Sequence, residues 1–278
     1  MKRFVLLVTG AALTLALVIA GGAGARSQAT TVRVSAAMIA ANEVPTTKGD
    51  VAAARGTFTA TLTKSATGAS MSWRLEFSNL SGSAVAAHIH VAARGVAGPV
   101  RVPLCAPCAS GVTGTANITA EVLDAIQTDR AYANVHTPTN PAGEVRDQLT
   151  AVANVRTALR AKQEVPKPKG NVKRAAGTFT ATVTKTGTTG KITWRLAYSR
   201  LTGRATAAHI HNGVRGKAGP VIVPLCTPCR NGARGTANVS AAVLSALEAG
   251  RAYVNIHTRK NPAGEIRGQI AAVSLSIS

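Results

Sequence analysis

Gly56-Thr-Phe-Thr-Ala-Thr-Leu-Thr-Lys64 returns further along the chain as Gly177-Thr-Phe-Thr-Ala-Thr-Val-Thr-Lys185, with Val183 standing for Leu62. Thr57 to Lys64 alternates as a strand does, and Ser70 to Ser78 alternates again after a turn marked by Gly68. The second copy of this hairpin turns at Gly187 and Gly190. A period of two in segments rich in Thr, Phe, Trp and Val predicts antiparallel strands.

Outward from this hairpin the whole chain repeats. Glu43 and Glu164, Trp73 and Trp194, His88 and His209, Cys105 and Cys226, and His136 and His257 are all separated by 121 positions. A repeat of that length is one ordinary domain rather than a solenoid unit. Further strands are expected at Ala84 to Val91, Val100 to Leu104, Val112 to Ile118, Ala131 to Thr137 and Glu144 to Val152. The expected fold is all-β: two tandem antiparallel Greek-key-like β-sandwiches, each with one short helix. Thr119 and Ser240 are the expected helix caps, ahead of the apolar sets Val122, Leu123, Ile126 and Val243, Leu244, Leu247. Asn117 and Asn238 also stand in glycosylation sequons, which the start of a helix explains equally well. The strand around Val145 to Val152 leads into one around Val155 to Ala161 with no Gly, Ser or Pro linker, so the domains are expected to abut rigidly.

Lys2-Arg3, the apolar run Phe4 to Ala20 and Ala23-Gly-Ala25 have the three regions of a cleavable secretory signal. Residues 1–25 are therefore set aside as a signal peptide, leaving a first domain at 26–152 and a second at 153–278 with no transmembrane segment in the mature chain. The expected location is secreted or extracytoplasmic, with association to the cell envelope. Loss of Lys2 and Arg3 lowers the formal charge from +21 to +19, which favours anionic cell-surface polymers as partners. An aromatic content of 3% argues against a specific reader of single-stranded nucleic acid, which needs stacking platforms. The sequence leaves the oligomeric state open.

All six histidines belong to two copies of one pattern. In Ala86-Ala-His-Ile-His90, His88 and His90 share a strand face about 6.6 Å apart, close enough to hold one metal ion. Tyr132, Asn134 and His136 share a face in the same way, and His209, His211 and His257 repeat the set. Three imidazoles match the ligand number of catalytic zinc sites and suit copper or nickel equally. The alternative is a set of surface or hydrogen-bonding histidines; against it, nearby pairs such as Val85 and Thr206, or Val91 and Asn212, differ between the copies while the histidines do not.

After the third histidine comes Asn140-Pro-Ala-Gly-Glu-Val-Arg-Asp-Gln148, repeated as Asn261-Pro-Ala-Gly-Glu-Ile-Arg-Gly-Gln269. Asn134, Glu144 and Arg146, with Asn255, Glu265 and Arg267, are candidates to orient a metal-bound histidine or attract a small anion; a cross-strand ion pair is the simpler role for the charged pair. Cys105 and Cys108, and Cys226 and Cys229, form two C-x-x-C motifs, for which a disulfide within each motif is expected in an exported protein. Pairing between domains and a shared four-cysteine zinc site are the alternatives.

The set H-I-H, Ala-Gly-Pro-Val, Y-x-N-[VI]-H-T and N-P-x-G-E-[IV]-R-x-Q resembles the CHRD domain, a module first named from chordin, twice over nearly all of the mature chain. Asp147 stands where the second copy has the expected Gly268. The resemblance implies an extracellular β-sandwich with an interaction role and no known catalysis. A weaker similarity, in the H-x-H strand, the later histidine and the following Gly and Arg, is to copper/zinc superoxide dismutase, from which each copy departs by having only three histidines.

The functional expectation is a secreted tandem binding protein with one three-histidine transition-metal site per domain, copper before zinc, and no catalytic residue assigned. Three methionines in all argue against copper(I) storage. Two alternatives stand beside it. One is a copper-dependent, superoxide dismutase-like oxidoreductase in which Arg146 or Arg267 attracts the substrate; the other is a structural envelope or matrix protein held to anionic polymers by its charge.

Overall fold

A computed structural model describes residues 31–277; the expected signal peptide lies outside the described residues. The first domain contains β1 (Thr31–Ile39), β2 (Arg55–Ser65), β3 (Gly68–Ser78), β4 (Ala86–Val91), β5 (Val100–Cys105), β6 (Val112–Thr119), helix α1 (Ala120–Gln127), β7 (Ala131–His136) and β8 (Val145–Gln148). The second contains β9 (Thr150–Arg160), β10 (Ala176–Thr186), β11 (Thr189–Ser199), β12 (Ala205–Asn212), β13 (Val221–Cys226), β14 (Arg234–Val239), helix α2 (Ala241–Glu248), β15 (Ala252–Thr258) and β16 (Ile266–Gln269).

In the first domain one layer has the order β6-β3-β2-β1 and the other β8-β7-β4-β5, and every pairing is antiparallel. The chain crosses between layers after β3, after β5 and, through α1, after β6, which gives a Greek-key path. β9, β10, β11 and β14 face β16, β15, β12 and β13 in the same way in the second domain. The alternation read in β2 and β3 decides the packing: Phe58, Leu62, Met71 and Leu75 point inward into a core with Ile89, Val135 and Val145 of the other layer. Each such side chain stabilises the fold by about 1.5–3 kcal/mol. Trp73 stacks near Phe58, with ring centroids 6.3 Å apart, and its indole fills the place a side chain would occupy at Gly114; a Cβ there would lie 2.5 Å from the ring.

Three differences from the sequence reading matter. β1, with Val32, Val34, Ala36 and Met38 turned inward, adds a strand to those named above. The segment expected as one strand over Glu144 to Val152 is interrupted at Leu149, and the part beyond it is the start of β9. β9 pairs with β1 at Val34↔Ala151 and Ser35↔Thr150, then leaves it and pairs with β10 along ten residues, from Lys185↔Ala151 to Ala176↔Arg160. The two domains are thus stitched into one continuous sheet by a strand that closes the first and opens the second. Thirdly, Thr119 caps α1 through its side chain, which accepts from Val122 N at 3.3 Å, whereas Ser240 makes no such bond at α2.

Beyond β16 the chain runs back toward the first domain. Ile277 N donates to Gln127 Oε1 at 2.9 Å, and Leu275 and Ile277 are buried beside Leu123 and Ile126 of α1.

Candidate metal centre

β4 and β7 are direct neighbours with the register Ala86↔His136, His88↔Asn134 and His90↔Tyr132. Ile89 and Val135 fill the core on one side, so alternation sends His88, His90, Tyr132, Asn134 and His136 to the other face of the layer. Alternation places that face outside the apolar core, yet it is not open surface. His90 is 7% and His136 8% exposed, and only His88 is half-buried, because loops bound to the strands cover the face. Arg146 donates to Val96 O at 3.1 Å and Gln148 to Ala92 O at 3.1 Å, holding down the loop between β4 and β5. Asn140 and Lys48 exchange hydrogen bonds of 2.7 and 3.3 Å, fixing the loop after β1.

The three rings converge. Their centroids are 4.9 Å apart for His88 and His136, 5.7 Å for His88 and His90, and 5.6 Å for His90 and His136. One nitrogen from each lies within 4.8 Å of the others, and His209, His211 and His257 repeat the arrangement. His90 Nδ1 donates to Gly98 O at 2.9 Å and His136 Nδ1 to Pro141 O at 3.1 Å. Carbonyl oxygens only accept, so both Nδ1 atoms carry hydrogen and both Nε2 atoms of the neutral rings present lone pairs. His88 Nδ1 lies 3.1 Å from His136 Nε2 and donates to it. His90 Nε2 and its equivalent in His211 are buried with no partner.

Burial pushes all six imidazoles below their ordinary pKa, His136 to about 4, so they are neutral and able to ligate at neutral pH. An unpartnered Nε2 aimed at two further nitrogens, with the opposite ring nitrogens held by carbonyls, fits a borderline transition metal such as copper or zinc.

The Ala97-Gly-Pro-Val100 motif gains a role from this geometry. Gly98 O orients His90, Gly98 N is held by Tyr132 Oη at 3.0 Å, and the Tyr132 ring stacks on His90 at 4.9 Å. A Cβ at Gly98 would sit 2.2 Å from Val91 O, so no other residue fits. Tyr253 and Gly219 do the same for His211. Tyr132 was read only as sharing the histidine face and Gly98 only as part of a motif; their contacts join separate loops, which no local pattern reveals.

Glu144 and Arg146 do not form the cross-strand ion pair, nor do Glu265 and Arg267. Glu144 accepts from Ser81 N at 2.6 Å, Thr137 Oγ1 at 2.6 Å and Asn140 Nδ2 at 3.0 Å. Burial opposes its ionisation, and these hydrogen bonds outweigh burial to leave its pKa below the ordinary value. Glu144 touches no histidine; it fastens the turn whose Pro141 carbonyl holds His136. Arg146 is 2% exposed with its guanidinium carbon 3.5 Å from the Tyr132 ring centroid, so it braces the loop instead of presenting charge at an opening. Glu265 and Arg267 repeat both arrangements.

A further pair escaped the sequence reading. Glu43 is buried with both carboxyl oxygens unpartnered, beside the unpartnered Oδ1 of Asn134, and both side chains close on Gly143. Burial raises Glu43 to about 8 against the attraction of Arg146, and Glu164 beside Asn255 to about 7. The one signal in the sequence is that Glu43 and Glu164 hold the same position in the two copies.

The cysteines pair within each motif, Cys105 with Cys108 and Cys226 with Cys229. Among the described residues no helix is long and apolar enough to cross a membrane.

The family model described as the CHRD domain matches residues 34–149 and again 155–270. No curated protein and no solved structure matches the chain.

Proposed function

The chain belongs to the CHRD domain family, and from that premise we propose that it is an exported tandem binding module holding one transition-metal ion in each domain. His88, His90 and His136 are the ligands in the first domain, and His209, His211 and His257 in the second. Copper is the first choice and zinc the second, both borderline metals that imidazole suits. The observation that carries this reading is the buried, unpartnered Nε2 of His90 and of His211, each facing the other two imidazoles of its domain. Two disulfides accord with an oxidising compartment, and the net charge of the chain favours anionic partners at the cell surface.

The test is elemental analysis of the purified mature chain after loading with Cu(II) or Zn(II) and exhaustive dialysis. Two equivalents are expected, one in His88→Ala and none in a double variant with His209→Ala. Sub-stoichiometric metal, or an affinity untouched in the double variant, overturns the proposal.

A further inference from the structure

The face of the second domain turned away from its core carries a row of arginines on neighbouring strands. Arg156, Thr180, Arg195 and Arg234 are successive register partners across β9, β10, β11 and β14, and all three arginines are exposed. The next row on the same face is Asn154, Thr182, Thr193 and Thr236, and Lys191 lies one row further on. These four strands contain no Asp or Glu, and among the described residues none of the four cations has an ion-pair partner.

Arg195 and Arg234 stand directly opposite one another, where like charges destabilise a sheet. The first domain shows that the fold can place a counter-charge on this face. There Arg74, the equivalent of Arg195, is paired with Glu76 at 2.7 Å, and Thr113 occupies the place of Arg234. The second copy has Ala197 where Glu76 stands. It therefore has one acid fewer and one base more on this face than the first copy.

Two shallow, open depressions mark the face. A depression of about 460 Å³ lies over Thr180, Thr182, Thr193, Arg195 and Arg234, and it meets a second of about 730 Å³ over the first domain at the shared residue Asn154. The strand order β6-β3-β2-β1-β9-β10-β11-β14 makes these one continuous outer face of eight strands, roughly 34 Å across at about 4.8 Å per strand. Arg33 extends the basic lining into the first domain, where Arg74 is balanced by Glu76.

We propose that this outer face binds a linear acidic polysaccharide, with Arg195 and Arg234 gripping one carboxylate or sulfate between them. Guanidinium forks match such groups bidentately, and the surrounding Thr and Asn side chains suit sugar hydroxyls. Trp73 and Trp194 are buried, so the lining lacks the exposed rings on which nucleic-acid bases would stack. The inference rests on the anionic partner named in the proposed function and is independent of the metal centres.

The test is titration of the full mature chain with polygalacturonate at low salt, alongside neutral dextran and a single-stranded oligonucleotide. Polygalacturonate is expected to bind and dextran not. Arg195→Gln and Arg234→Thr should each weaken binding about tenfold, the loss of one charged hydrogen-bonding pair, while Arg259→Gln in the turn before β16 leaves it unchanged. Because Arg234→Thr installs the residue that the first copy carries, its melting temperature should stay level or rise. Binding in the His88→Ala, His209→Ala double variant should persist, which separates this proposal from the metal reading. Absence of polygalacturonate binding, an equal loss in Arg259→Gln, or tighter binding of the oligonucleotide through the same arginines overturns it.

Discussion

His88 Nδ1 donates to His136 Nε2 across 3.1 Å, and His209 does the same to His257. The bond occupies two nitrogens that would both serve as ligands, so a bound ion must displace its hydrogen to His88 Nε2. Nitrogen-15 spectra are expected to show His88 and His209 protonated at Nδ1 without metal and at Nε2 once zinc is added, while His90 and His136 keep Nδ1 protonated throughout. A His88 tautomer that does not change on zinc addition would refute the ligand assignment.

Tyr132→Phe removes the hydroxyl that holds Gly98 N and thereby loosens the carbonyl orienting His90. Loss of such an outer partner typically weakens metal affinity about 10–100-fold. Competition with a chelator should find that weakening at the first site alone, and Tyr253→Phe should transfer it to the second. Equal effects of either change on both sites would contradict the geometry.

Glu43 has a folded-state pKa of about 8, above the ordinary carboxyl value of 4.5. The folded state therefore holds a proton that the unfolded state releases, and the stability this brings is complete below about pH 4.5 and lost as pH rises through 8. One proton of difference corresponds to a slope of about 1.4 kcal/mol per pH unit inside that window. Glu43→Gln should flatten the fall of stability between about pH 5 and 8 in denaturant titrations, and Glu164→Gln should do so over a window ending near 7. The histidines act in the opposite sense, their lowered values withdrawing stability as pH falls below 6.5. An unchanged slope over that window in Glu43→Gln would show that Glu43 is ionised in the folded protein.

Leu275 and Ile277 bury their side chains against α1 of the other domain. Leu275→Ala should cost about 2–5 kcal/mol, and truncation after Ser274 should split a single calorimetric transition into two. A truncated chain that melts as one unit at the original temperature would remove this segment from the interdomain interface.

The hairpin of β2 and β3 was legible because its information is local: each residue from Thr57 to Lys64 declares its face by alternation. The shared face of His88 and His90 was legible for the same reason, since a two-residue spacing sets side and distance together, whereas His136 was grouped with them only because the repeat carries the three together. What stayed hidden depends on contacts between segments far apart in sequence. Nothing near His90 indicates that the loop at Val96 to Gly98 folds over it under the grip of Arg146, and so the histidines read as a surface when they are largely roofed. The charged residues Glu144 and Arg146 read as an ion pair, but Glu144 is held by Thr137, Asn140 and the distant Ser81, and Arg146 by the distant Val96. The Leu149 interruption was masked because Val145, Leu149 and Ala151 keep the two-residue alternation running through it.

β9 gives its first residues to β1 and the rest of its length to β10. The unit that was copied is therefore not the unit that folds. A gene cut between residues 152 and 153 would leave Thr150 to Val152 on the first product, unpaired on the side that β10 covers, and would leave the second to begin inside β9, with the edge of β10 at Thr184 and Lys185 bare. Each half would expose backbone donors and acceptors that the intact chain satisfies within itself, and mixed halves would be expected to find one another before they found water.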